Sequence, residues 1–369
     1  MKNFILSILL LASTAVQGQQ WGYVNTLTDE YLREIWTQGL DTVYIVGDNG
    51  LIARSTDRGE TWEKQYFQTQ VYLNDIFFIN HYIGLAVGDQ GTVLKTTDAG
   101  ETWVQIASGT TQNINAIAAT GLNNIWAVGD NSLILHSTDA GETWTQTNVL
   151  SENNRLLSDI AFRGNLGYFT GNYATVYKTE DYGLTWNKET SVNWSESYYT
   201  NAYSINIMEN NTYIMVNDSL YSTKDNINWM PVFNHTLGII SNSNPFFLND
   251  SVGYASYAAL FTGNSGSLFV WETTTGGEYW ENIGEQLECC SRNISYYPSK
   301  IRMVNDTLGY AIFTQVLLKM PVSNTPTTVG RIKDNANVAI SQSSKGDLTV
   351  KSESNSIQSI EIFDILESV

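Results

Sequence analysis

The chain has 369 residues, 37 acidic against 19 basic side chains and a net charge of −18, and 42% of it is hydrophobic. That apolar content supports a packed core and argues against global disorder, while the acidity disfavours phosphate-driven nucleic-acid binding and an anionic membrane surface as partners. With 21 Tyr, 13 Phe and 11 Trp beside 28 Gly and 5 Pro, the composition leans toward strands and tight turns.

At the start, residues 1–18 read as a signal peptide: Lys2 gives a positive n-region, Phe4 to Ala12 is apolar, and Ser13, Ala15 and Gly18 are small. The apolar run is too short to span a bilayer, and no later segment reaches that length, so the expected product is secreted or displayed at the cell surface and is not membrane-spanning.

From residue 19 a repeat governs the chain. Ser55-Thr-Asp57-Arg-Gly59-Glu-Thr61-Trp62 recurs at Thr96–Trp103, Ser137–Trp144 and Thr179–Trp186. Worn copies follow at Ser222–Trp229, which has no glycine, and Thr273–Trp280, where Thr275 replaces Asp. Successive tryptophans are 41, 41, 42, 43 and 51 residues apart. A second landmark precedes each box: Tyr44-Ile-Val-Gly47-Asp48-Asn-Gly50, Leu85 to Gly91, Trp126 to Ser132, then weaker forms at 168–171, 213–217, 253–257 and 309–313. Seven landmarks imply seven units, and a unit of about 41 residues with turn residues between short β-rich runs reads as a four-stranded propeller blade. For blade 2 the expected strands are Leu73–Phe78, Gly84–Val87, Thr92–Thr96 and Thr102–Ile106. The last blade lacks its tryptophan strand, and Trp21 lies one period before Trp62. The fold class expected over 19–321 is therefore all-β, a seven-bladed β-propeller closed by the N-terminal strand, followed by a short C-terminal β tail.

These boxes resemble the Asp-box repeat of bacterial neuraminidases, sortilin-type receptors and xyloglucan-degrading hydrolases. The resemblance implies structural roles for Asp57, Trp62, Asp98, Trp103, Asp139, Trp144, Asp181 and Trp186, on a face opposite any active site. The whole unit, Gly88-Asp-Gln-Gly91-Thr-Val-Leu-Lys-Thr-Thr-Asp98-Ala-Gly100-Glu-Thr-Trp103, resembles the photosystem II assembly and stability factor family. Members of that family bind proteins and pigments through an arginine-lined face; with few arginines in an acidic chain, that role is not carried over.

Catalytic signatures are missing from the sequence. The eight Arg include no Arg-Ile-Pro motif, and His81, His136 and His235 lie at no triad or metal spacing. No cofactor and no metal are expected, and an enzyme is disfavoured. Function is expected on the long loops of later blades, at about 188–202, 233–246 and 283–299. Trp194, Tyr198, Tyr199, Phe233, Arg292, Tyr296 and Tyr297 there suit protein or glycan recognition. Cys289 and Cys290 are adjacent: they form a vicinal disulfide or remain two thiols. Asn-Asp-Ser/Thr-aliphatic runs at 217–220, 249–252 and 305–308 read as hairpin turns.

After a Pro-containing linker at 322–334, residues 335–369 alternate like strands. Ser359-Ile-Glu-Ile-Phe-Asp-Ile-Leu366 resembles the sorting domain of type IX secretion, truncated at Val369, with Glu367 where that family has Gly. This implies a Gram-negative source and the type IX machinery as a partner. The expected function is a monomeric, non-enzymatic exported propeller that binds an extracellular protein or polysaccharide. A glycoside hydrolase or lyase, and an assembly factor for a membrane protein complex, stand as alternatives.

Overall fold

The computed structural model describes residues 21–24, 28–67, 71–150, 154–190, 200–217, 219–233, 243–260, 266–283, 287–289, 299–313, 315–320, 338–342 and 348–352. The chain divides into two compact units, residues 1–321 and 322–369. Within the first, seven sheets follow one another as blades, each built on antiparallel strands. Blade 1 is Leu32–Gln38, Thr42–Gly47, Leu51–Ser55 and Glu63–Tyr66, and blades 2 to 5 repeat that order up to Phe233. Blade 6 is Phe246–Phe247, Gly253–Leu260, Gly266–Thr273 and Glu281–Asn282; blade 7 begins with Ser299–Met303, Gly309–Phe313 and Val316–Met320. Its fourth strand comes from the other end of the chain: Gly22 pairs with Lys319 and Tyr23 with Leu318. Trp21 is 4% exposed in the cluster holding Leu318 and Met320. The ring closes as the sequence predicts.

A single blade has two apolar faces and cannot bury either alone, so the core falls into seven clusters, one at each junction between blades. Leu85, Val87 and Val93 of blade 2 meet Ile114, Ile125 and Leu133 of blade 3, and equivalent sets fill the other six junctions. The second strand opens on a large side chain in every blade: Tyr44, Leu85, Trp126, Tyr168, Tyr213, Tyr254 and Tyr310 are all 2% exposed or less. Each such burial contributes roughly 1.5–3 kcal/mol. Tyr44 also donates its hydroxyl to Ala99 O in blade 2 at 2.8 Å, tying one blade to the box of the next.

In blade 2 the strands are Leu73–Phe78, Gly84–Gly88, Val93–Thr96 and Val104–Ile106, within a residue or two of the expected bounds. Gly88 has an extended backbone that any residue adopts, and packing decides its identity: a Cβ there would lie 2.0 Å from Tyr72 O. The same close approach recurs at Gly47, Gly129 and Gly171. The 51-residue step into blade 6 lies in an enlarged hairpin, whose middle strands have 8 residues each and recruit Leu287–Cys289 against Gly266–Leu268. The expected loops at 233–246 and 283–299 are thus partly strand, because Ser243–Asn244 also pairs in parallel with Ser299–Lys300. In the second unit Val338–Gln342 and Leu348–Ser352 form an antiparallel hairpin. Residues 1–18, read as a signal peptide, 322–334, read as a linker, and 357–366 lie outside the described residues.

Candidate functional site

The boxes that the sequence singles out form turns between the third and fourth strands of their blades. In blade 2 Asp98 Oδ1 accepts from Thr96 Oγ1 (2.7 Å) and Thr102 N (2.9 Å), and Oδ2 accepts from Thr102 Oγ1 (2.6 Å). Gly100 N donates to Thr96 Oγ1 at 2.9 Å. Gly100 has φ +80, a left-handed conformation, and a Cβ there would meet Tyr44 at 2.8 Å. Asp57, Asp139 and Asp181 hold the same turn with the same partners. Donors aimed at the carboxylates, those of Thr102 and Thr143 foremost, lower Asp98 and Asp139 to about 2. Trp62, Trp144 and Trp280 donate Nε1 to the box glycine's carbonyl, while Trp103 packs edge-on against Phe78 and Trp186 against Trp126. Both oxygens of each of these four carboxylates accept hydrogen bonds from within their own turn. Arg58 belongs to the same face, paired with Asp41 at 2.5 Å, and His136 is stacked on Trp126 at 3.9 Å.

The opposite face carries the landmark turns and the crossings between blades. A bulge near the start of the innermost strand falls between Leu32 and Glu34, Leu73 and Asp75, Ile114 and Ala116, Leu157 and Asp159, and Ala202 and Ser204. The bulged residue reaches the landmark aspartate: Arg33 to Asp48 (2.5 Å), Asn74 to Asp89 (2.9 Å), Asn115 to Asp130 (2.9 Å). Asn74 and Asn115 also donate to Ile114 O and Leu157 O of the following blades. Two arginines lie over tyrosines here, Arg33 over Tyr72 at 4.4 Å and Arg155 over Tyr173 at 4.6 Å. Tyr66, Tyr72 and Leu156 stand exposed beside them.

Behind this face runs the bore of the ring, a cavity of about 340 Å³ lined by the innermost strands. The residues just past the bulges line it, and three of them are acidic. Asp75 accepts from Ile76 N (2.7 Å) and from Ile117 N of blade 3 (2.8 Å). Asp159 accepts from Ile160 N (2.8 Å) and Ile205 N of blade 5 (2.9 Å). Glu34 takes Ile35 N at 3.0 Å and pairs with Lys300 of blade 7 at 2.7 Å. Asn206 donates to Pro245 O at 2.9 Å, bridging blades 5 and 6. These clasps join blades at the axis, where the apolar clusters do not reach.

Burial, and then the neighbouring Glu34, push the Asp75 carboxyl well above its usual range, and burial likewise raises Asp159. Burial would depress the Lys300 ammonium, but Glu34, Asp159 and Asp75 together lift it above its ordinary value. Lys300 keeps 31% of its side chain open to the bore and Glu34 17%. Arg302 lies between rings, 4.7 Å from Trp36 and 5.2 Å from Phe246. Ser204 Oγ, Asn244 Oδ1 and Trp36 Nε1 are buried on this lining with no partner among the described residues.

Of the residues expected to bind a ligand, Trp194, Tyr198, Tyr199, Arg292, Tyr296 and Tyr297 lie outside the described residues, as does Cys290. Phe233 is placed by its backbone, paired with Leu220, and Cys289 by its pairing with Gly266. No group of three or more His, Cys, Asp and Glu able to hold a metal occurs among the described residues. The bore was missed in the sequence, although an acidic residue two places past the apolar start of the innermost strand, at 34, 75 and 159, was the available signal.

The family model for photosynthesis system II assembly factor YCF48 matches residues 13–106, 62–152 and 102–286. A comparison with curated proteins gives no match. Among solved structures, "YCF48 bound to D1 peptide" is 18% identical with a TM-score of 0.56, covering 82% of this chain and 96% of that one. YCF48 from Cyanidioschyzon merolae is 18% identical with a TM-score of 0.58, covering 82% and 98%. The Niastella koreensis GH74 enzyme is 13% identical with a TM-score of 0.60, covering 91% of this chain and 60% of that one. At these identities the likeness to solved structures is one of fold. The three overlapping family matches span well over half of the sequence, and on that ground the chain belongs to the photosynthesis system II assembly factor YCF48 family.

Proposed function

We propose that the chain is an exported, non-enzymatic assembly factor that binds a polypeptide segment of a partner protein on the face opposite the box turns. The observation that carries this reading is the pair of arginines laid over tyrosines on that face, with Tyr66, Tyr72 and Leu156 exposed around them. Such pairs hold a guanidinium in place, contributing about 0.5–1 kcal/mol at exposed sites, and present fixed aromatic area and positive charge to a peptide. Family membership supports a protein as the ligand: a YCF48 structure is described as bound to a D1 peptide. Export rests on the leader-like residues 1–18 and the sorting-like residues 335–369. The buried carboxylates of the bore favour binding over hydrolysis, since backbone amides occupy both oxygens of Asp75 and of Asp159.

Site-specific photo-crosslinking in the native host tests this. A photoreactive residue at Tyr72 or Leu156 should capture one and the same protein, and Arg155→Ala should cut that capture several-fold. A residue at Leu184, exposed on the box face, should not. Equal capture from both faces, or none from Tyr72 and Leu156, sinks the proposal.

A further inference from the structure

The landmark aspartates of blades 1 to 3 hold equivalent positions and differ in what meets them. In blade 1 the bulged residue is Arg33, which pairs with Asp48 at 2.5 Å and lies 4.4 Å over the ring of Tyr72. In blades 2 and 3 the bulged residues are Asn74 and Asn115. Each donates an amide to its aspartate at 2.9 Å, Asn74 to Asp89 and Asn115 to Asp130, and Asn113 adds a second to Asp130 at 3.0 Å. An amide fills a lone pair but does not neutralise a carboxylate. Among the described residues Asn74 is the one donor on the Asp89 carboxylate, and it engages Oδ1 alone.

Blade 1 therefore shows which group completes the position: a cation set between a landmark carboxylate and a tyrosine. Blade 2 presents the carboxylate beside a tyrosine without the cation. Asp89 N donates to Tyr72 O at 2.9 Å, so the two share one corner of the face, and Tyr72 is 42% exposed there. Arg33 is matched by Asp48 and brings no net charge to that corner, while Arg155 stands two blades further round, over Tyr173. A groove of about 550 Å³ opens alongside, from Gln90 and Gly91 across to Gln105, Ser108 and Thr110, with no charged residue in its lining. Amides and hydroxyls of that kind suit a peptide main chain and do not compete for a cation. The chain's net charge of −18 also repels an acidic segment and steers a basic one toward it.

We infer that the polypeptide segment bound on this face carries a lysine or arginine whose head group docks on Asp89, with its stem along Tyr72 and its flanking main chain in the groove. The inference rests on the peptide-binding reading proposed above and names the chemistry of its ligand.

Titration of the full-length protein with N-acetyl-Leu-Lys-Leu-amide, and with the same peptide carrying norleucine or glutamate in place of lysine, tests it. The lysine peptide should bind about fivefold more tightly than the norleucine peptide, and the glutamate peptide more weakly still. Asp89→Asn should remove the advantage of lysine. Asn74→Arg should remove it too, by giving blade 2 the internal cation that blade 1 has, and it decides the matter should Asp89→Asn fail to melt cooperatively. Glu101→Gln, the same loss of charge on the box face, should leave the advantage in place. No binding at about 10 mM, equal affinity for lysine and norleucine, an advantage that survives in either folded variant, or one that Glu101→Gln removes as fully overturns the inference. Photo-crosslinking at Tyr72 and Leu156 reads the face itself, so capture there with peptides indifferent to charge leaves the face standing and removes the basic residue from its ligand.

Discussion

Blades 1 to 4 and blades 5 to 6 build the same turn from different residues, and the contrast shows which atoms the turn needs. In blades 1 to 4 an aspartate collects a threonine hydroxyl, a threonine amide and a Ser/Thr two residues before it. Blade 5 has one residue fewer between Asp225 and Trp229, which removes the glycine, yet Asp225 still accepts from Thr223, from the Ile227 and Asn228 amides and from Asn228 Nδ2. Blade 6 replaces the aspartate altogether: Thr275 Oγ1 accepts from Tyr279 N at 2.9 Å, and Gly277 N still donates to Thr273 Oγ1. An acceptor at the apex and a hydroxyl two residues earlier are the requirements; the carboxylate strengthens them. The landmark is treated likewise. Blades 1 to 4 set Gly47, Gly88, Gly129 and Gly171 opposite Leu32, Leu73, Ile114 and Leu157, whereas blade 5 reverses the sizes with Val216 opposite Ala202.

The comparison can be broken at several points. The largest effect should come from the one blade joined across the chain ends: Trp21→Ala removes a nearly buried indole from the closing strand and should cost about 3–5 kcal/mol in denaturant unfolding. A cost under 1 kcal/mol would mean that the ring does not depend on its N-terminal strand. Gly88→Ala should cost about 3 kcal/mol by overpacking, since its Cβ has nowhere to go; a neutral result would show that blade 2 can relax into the blade 5 geometry. Asp98→Ala should cost about 1–2 kcal/mol, the scale for hydrogen bonds at a partly exposed group. Thr275→Asp should add less than 1 kcal/mol, bringing blade 6 toward blades 1 to 4, and a loss would show that its turn has re-optimised around threonine.

The box carboxylates also predict a pH response. Their folded-state values are depressed, to about 2 for Asp98 and Asp139, so the stability they confer is complete above the unfolded value near pH 4 and is lost as pH falls toward 2. Thermal melts of wild type and Asp98→Asn should therefore converge as pH drops from about 4 to 2. Parallel curves would assign the acid loss to other groups.

The box was legible because its bonds are local. Asp98 reaches Thr102 and Gly100 reaches Thr96, all within four residues, so the motif and the turn are one object. The bore was not, because its bonds cross the ring's junctions: Asp75 meets Ile117, Asp159 meets Ile205, and Glu34 meets Lys300 from the far end of the chain. Sequence reading looked for recognition in late-blade loops rich in aromatics, whereas the arginine–tyrosine pairs of the described surface join residues 33 with 72 and 155 with 173. A guanidinium and a ring 39 residues apart in one pair and 18 in the other share no spacing that a pattern along the chain could show.

What the sequence determined by itself was the repeat, and with it the number of blades, the strands within each and the closure by Trp21, because period and hydrogen-bonding turn are local properties that every copy restates. The tertiary structure alone decided which polar groups meet at the axis. Closing seven blades into a ring brings the third residues of the innermost strands around one cavity, where Asp75, Asp159 and Glu34 find partners on other blades.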